Sequence, residues 1–114
     1  MEIIDAAPFA LRATTPEKNW IHRLSKGRTI VGRSKMADVE IEEIFAARSH
    51  CALDWDDNLK CHLLSVWGPN GVSVNGAFLP VGTERRQLSA EDELRIGGVS
   101  LRYEGVSETP DIAG

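Results

Sequence analysis

The chain has 114 residues, 42% of them hydrophobic and 26% charged, which gives room for one domain with its own core but not for two. A formal net charge of −4 argues against a nucleic-acid surface, where a basic patch dominates, and no apolar run approaches the length of a membrane span. The first ten residues lack the basic start and apolar stretch of a secretory signal, so a cytoplasmic location is expected.

Strand signals then follow one another along the chain. Phe9-Ala10-Leu11 and Trp20-Ile21-His22-Arg23-Leu24 flank a polar loop over 14–18. Arg28-Thr29-Ile30-Val31 is rich in β-branched residues and leads into Gly32, and Val39-Glu40-Ile41 alternates apolar with polar as a half-buried strand does. Residues 42–47 are the one stretch with helical character, as a single turn too short to stand alone. Cys51-Ala52-Leu53-Asp54-Trp55, the polar tip Asp56-Asp57-Asn58 and the apolar-rich stretch 59–67 predict a hairpin. Val72-Ser73-Val74, the turn pair Asn75-Gly76 and Ala77-Phe78-Leu79 predict a second. Glu93-Leu94-Arg95-Ile96 and Val99-Ser100-Leu101-Arg102-Tyr103 around Gly97-Gly98 predict a third. About ten short strands with turn signals every eight to twelve residues mean an all-β sandwich or barrel. A single domain is expected over 1–105, with a polar, flexible tail over 106–114.

Cys51 and Cys61 form no C-x-x-C pair, and three scattered histidines add no metal-ligand spacing, so reduced, packed thiols are expected, with no metal and no cofactor. A disulfide or redox switch is the competing reading. Trp20, Trp55 and Trp67 suit core or rim packing better than an aromatic cage.

Two catalytic motifs fail on inspection. Residues 27–34, Gly-Arg-Thr-Ile-Val-Gly-Arg-Ser, have the spacing of a phosphate-binding P-loop with arginine in the lysine position, but Thr29-Ile30-Val31 prefers extended backbone and no helical pattern follows. Gly71-Val72-Ser73-Val74-Asn75 misses the last glycine of a nucleophile elbow and lacks its strand-to-helix context. The chain is therefore expected not to be an enzyme.

Four segments carry a more specific pattern. They are Gly32-Arg33-Ser34 followed by Asp38-Val39; Ala47-Arg48-Ser49-His50; Gly68-Pro69-Asn70-Gly71 leading into Val74-Asn75-Gly76; and Leu88-Ser89-Ala90-Glu91-Asp92-Glu93-Leu94-Arg95-Ile96-Gly97. In order and spacing they resemble the forkhead-associated (FHA) family, over most of the chain. The resemblance implies a β-sandwich of about eleven short, mostly antiparallel strands with binding loops at one end, and a partner that is a phosphothreonine-containing protein or peptide. It assigns phosphate capture to Arg33 and Ser34, contacts to the ligand main chain to Asn70 and Arg48, and a supporting donor to Ser49. His50 is implied as a scaffold residue, with Gly32, Gly71 and Asn75 as turn and packing support. The chemistry is independent of the family: a phosphate dianion calls for a guanidinium fork and neutral donors on a fixed loop. The competing readings are a solvated surface arginine for Arg33, turn chemistry for Ser34 and Asn70, and a purely structural role for Arg48.

The pattern has two departures. Where the family has a serine before the arginine of the second segment this chain has Ala47, and Gly68-Pro69 replaces a hydroxyl-bearing pair. The alternative is a degenerate member acting as a phosphate-independent docking scaffold. Thr109-Pro110-Asp111-Ile112 in the tail is a further candidate, a kinase target docking on a neighbouring molecule.

Overall fold

A computed structural model describes residues 5–106. Eleven strands follow in chain order: β1 (Ala6–Thr14), β2 (Asn19–Ser25), β3 (Arg28–Gly32), β4 (Val39–Glu40), β5 (Cys51–Asp56), β6 (Cys61–Val66), β7 (Val72–Val74), β8 (Ala77–Leu79), β9 (Arg86–Gln87), β10 (Asp92–Ile96) and β11 (Val99–Gly105). They form a six-stranded sheet in the order β2-β1-β11-β10-β7-β8 and a five-stranded sheet in the order β4-β3-β5-β6-β9. Only the β3–β4 pair is parallel; all other pairs are antiparallel. The all-β sandwich expected from the strand pattern is thus what the chain adopts.

The two-residue period explains the layering. In β10 and β11, Leu94, Ile96, Val99, Leu101 and Tyr103 are buried while Arg95 and Arg102 stand in solvent, so one face of the sheet enters the core and the other is charged. Val31, Cys51, Leu53, Leu64 and Val66 supply the facing layer from the second sheet. No described helix is long and apolar enough to cross a membrane, and the described residues contain no helix. The helical turn expected at 42–47 is an irregular turn closed by the Ala46 amide on the Glu43 carbonyl, 3.0 Å. The strand expected to begin at 59 starts at Cys61, because Lys60 takes a left-handed φ of 57° to close the β5–β6 turn. β9 carries no apolar alternation and had no signal in the sequence.

Both cysteines are free and buried. Cys51 opposes Val66 and Cys61 opposes Asp56, at opposite ends of the same hairpin, on the order of 17 Å apart by strand rise and far beyond disulfide reach. Burial pushes the Cys51 thiol up to about 12, so it is an inert apolar group, and the redox reading falls.

The end of the sandwich where β5 and β6 turn is held by an aromatic cluster. Phe9 stacks on Tyr103 with centroids 4.3 Å apart, and His62 meets the edges of Phe9, Trp55 and Tyr103. The Tyr103 hydroxyl accepts the His62 amide at 3.0 Å and donates to Nδ1 at 2.8 Å, while Nε2–H donates to the Ser25 carbonyl at 2.9 Å. Trp55 packs in this cluster and Trp20 against the core, while Trp67 lies on the rim with the Arg28 guanidinium 5.3 Å from its ring.

Desolvation holds the His62 pKa below the ordinary 6.5, against a smaller opposing effect from the Ser25 carbonyl. Above pH 6.5 the imidazole is neutral in folded and unfolded chains alike, and its contribution to stability is complete. Below that, the unfolded chain takes up the proton first, and stability falls until the lower folded-state value is passed. The urea midpoint should therefore decline as pH drops from about 6.5 towards 5. His62→Gln should flatten the decline. An unchanged slope would move the effect to His22, which burial shifts in the same direction.

Candidate functional site

The loops after β3, β4 and β6 gather at one end of the sandwich, joined by the β10–β11 hairpin. Their base is main chain on main chain. The Arg33 amide donates to the Ala47 carbonyl at 2.9 Å, the Ser34 amide to the Arg48 carbonyl at 3.1 Å, and the Ile41 amide to the Gly32 carbonyl at 2.9 Å. Gly32 is required by this crossing: a Cβ there would stand 2.0 Å from the Arg48 carbonyl oxygen.

Arg33 leaves the sheet directly after that glycine. Its Nε donates to the Ala46 carbonyl at 3.0 Å, fixing one edge of the guanidinium, and the group is otherwise exposed. The four ion pairs among the described residues engage Arg12, Arg28, Lys60 and Arg102; none engages Arg33, Lys35 or Arg48. Arg33 therefore holds a charged fork at the loop apex, anchored by a neutral carbonyl and not spent on a carboxylate. Ser34 Oγ accepts the Met36 amide at 3.0 Å, which orients the hydroxyl and leaves its proton to donate outward. Arg48 and Ser49 are exposed on the adjoining loop. Asn70 donates from Nδ2 to the Phe45 carbonyl at 2.9 Å, tying the third loop to the second and leaving Oδ1 as an acceptor.

His50 is fully buried beneath these loops. The Ala47 amide donates to Nδ1 at 2.9 Å, so that nitrogen is unprotonated, and Nε2–H donates to the Gly71 carbonyl at 2.8 Å. Its main chain donates to the Val31 carbonyl and accepts the amides of Trp67 and Gly68, each at 2.8 Å. A Cβ on Gly68 would come 2.1 Å from Nδ1, so the ring itself demands glycine there. Gly71, at φ 73°, has the Phe78 ring where a Cβ would stand.

Five of the residues singled out in the sequence, Arg33, Ser34, Arg48, Ser49 and Asn70, thus lie on one cluster of loops, with Gly32, His50 and Gly71 beneath them. Asn75 lies elsewhere. At φ 52° in the β7–β8 turn, it donates to Asp92 Oδ1 at 2.8 Å and accepts the Glu93 amide at 2.9 Å, clasping the hairpin to β10.

Glu43 was not read from the sequence. Its carboxylate accepts the Gly98 amide at 2.7 Å and the Phe45 amide at 3.1 Å, bonds that hold its pKa below the usual carboxylate range and tie the second loop to the β10–β11 hairpin. Among the described residues no cluster of His, Cys, Asp or Glu is arranged to hold a metal ion.

The FHA domain family model matches residues 29–97, more than half of the chain, and the chain belongs to that family. No curated protein matches the sequence. Among solved structures, it is similar to the FHA domain of the CT664 protein from Chlamydia trachomatis (22% identity, 87% of this chain and 98% of that one, TM-score 0.74). It also resembles the FhaA FHA domain complexed with the intracellular domain of Rv3910 (24%, 84% and 99%, TM-score 0.72). A third likeness is to the N-terminal FHA domain of Rad53p from S. cerevisiae, in complex with a phosphothreonine peptide (19%, 84% and 93%, TM-score 0.72).

Gly68→Ala should force the new methyl against the His50 ring and lower stability by about 1–3 kcal/mol. Gly27→Ala, where the nearest atom is Ser25 Oγ at 3.4 Å, should change it little. Chemical denaturation of both variants measures the difference.

Proposed function

We propose that the chain is a protein-interaction module that binds phosphothreonine-containing segments at the Arg33 loop cluster. FHA domains are interaction modules and not enzymes, and one similar structure holds a phosphothreonine peptide. The observation that carries the reading is the Arg33 guanidinium, exposed at the loop apex, fastened by Nε alone and free of any carboxylate among the described residues.

On this reading the terminal amino groups of Arg33 grip two phosphate oxygens, Ser34 Oγ–H donates to one of them, and Lys35 adds charge. Asn70 Oδ1 accepts an amide from the bound segment, while its Nδ2 keeps the loop in place. Arg48 and Ser49 face the main chain of the same segment. His50 takes no part in binding except by holding Ala47 and Gly71. Residues 1–105 act as the folded module.

A second reading, a phosphate-independent scaffold, is favoured by Ala47 and Gly68, where hydroxyl donors are missing, and by the exposed Ile44 and Phe45 beside the loops. The two separate in one titration. A phosphothreonine peptide library followed by fluorescence anisotropy should bind the chain and lose roughly ten- to a hundred-fold affinity with Arg33→Ala, the cost of one or more charged hydrogen bonds. Equal binding of unphosphorylated peptides, or indifference to Arg33→Ala, would establish the scaffold reading instead.

A further inference from the structure

The loop cluster is not only cationic. Ile44 is 83% exposed, Phe45 57% and Phe78 61%, which sets large apolar side chains on the loops beside the cation. Phe45 and Phe78 adjoin the proposed phosphate site: Asn70 bonds the Phe45 carbonyl, the Phe78 ring lies against Gly71, and the Arg33 anchor Ala46 follows Phe45, with Ile44 next to it in the chain. A ligand that covers this end offers a phosphate for Arg33, acidic groups for Lys35 and Arg48, and a large aliphatic side chain a few residues from the phosphate.

The chain contains such a segment. Ser107-Glu108-Thr109-Pro110-Asp111-Ile112 places carboxylates on both sides of a threonine and an isoleucine three residues after it. The other Thr-Pro step, Thr15-Pro16, is not available for this: the Thr15 hydroxyl accepts the amides of Glu17 and Lys18 and donates to the Lys18 carbonyl, which locks it in a turn. Thr29 is buried, and the Thr83 hydroxyl donates to the Pro80 carbonyl. Residues 107–112 lie outside the described structure.

Reach decides which copy of the site the segment fills. The Glu43–Gly98 bond puts the start of β11 at the binding end, and the Val106 amide bonds the Pro8 carbonyl at the other. The seven steps from Val99 to Val106 span about 24 Å, and the two sheets stand a further ~10 Å apart. Three residues from Val106 to Thr109 return at most about 11 Å. We infer that phosphorylated Thr109 of one copy docks in the Arg33 loop cluster of a second copy, with Ile112 against Phe45 and Phe78, so that phosphorylation drives self-association.

The covalent step is ordinary: a kinase transfers the γ-phosphoryl of ATP to Thr109 Oγ1, the hydroxyl proton leaves to a base, and ADP is released. The inference rests on the phosphothreonine reading of the site, and the experiment keeps the two apart. The 114-residue chain carrying phosphothreonine at 109, made by ligation, is compared with unmodified chain by analytical ultracentrifugation. A labelled peptide of residues 104–114, with and without the phosphate, is titrated beside the phosphothreonine library. The phosphorylated chain should sediment as a dimer or larger species, and Arg33→Ala should return it to monomer. The phosphopeptide should bind the unmodified chain, roughly ten-fold more weakly when Ile112 is alanine. Library binding without tail-peptide binding overturns the self-association and leaves the phosphothreonine reading intact; no phosphate-dependent binding of either overturns both. A phosphorylated chain that stays monomeric while its peptide binds overturns docking between copies.

Discussion

One buried imidazole fixes the end of this sandwich at which binding is expected. His50 accepts from the Ala47 amide on one ring nitrogen and donates to the Gly71 carbonyl from the other, while its own main chain holds Val31, Trp67 and Gly68. Two loops, at Ala47 and at Gly71, are therefore referred to a single ring, and each of its bonds is made away from water, where an unsatisfied partner is costly. The arrangement works only for the neutral tautomer with hydrogen on Nε2, and only if position 68 has no side chain.

The charge above this ring is placed by the same economy. Arg33 is aimed by a backbone carbonyl, so its orientation consumes none of its charge. Arginines elsewhere are held in both ways: Arg28 meets Asp54 at 2.7 Å and Arg12 meets Glu104 at 2.9 Å, while Arg23, like Arg33, donates from Nε to a backbone carbonyl, that of Ala7, at 2.9 Å. Such exposed pairs add little stability, but they leave those guanidinium groups partly neutralised. What sets Arg33 apart is that it stands exposed at the loop apex with no carboxylate partner among the described residues, within a molecule whose net charge is −4.

Much of the fold was legible because each side chain in β7, β10 and β11 has one of two faces to choose, and alternation declares the choice. Asn75-Gly76 and Gly97 declared their hairpins as residues suited to the positive φ they adopt there. The two-residue strand β9 was not legible, since it pairs at an edge through backbone alone. Nor was β1 in full, where Ala6-Ala7-Pro8 has little intrinsic preference for extended structure and is held by the pairing of Ala6 with Ser25 and the Val106 amide on the Pro8 carbonyl. In the site, the charged and turn-forming residues could be picked out by motif. Glu43 could not, because its partner Gly98 lies 55 residues away and a lone glutamate in a polar loop carries no local signal. The glycine at 68 was visible as a departure from pattern, but its cause, the imidazole beneath it, exists only once the chain is folded.

The bonds that seat Arg33 and Ser34 run from amide to carbonyl and involve no side chain of the facing loop. The tips at Lys35, Met36, Ile44 and Phe45 are solvent-facing and contribute only backbone to that seat. Those four positions can be randomised together without unseating the cation. On the proposed reading of the site, the scaffold suits a combinatorial library of readers that share the Arg33 seat and differ in the sequence they prefer around it.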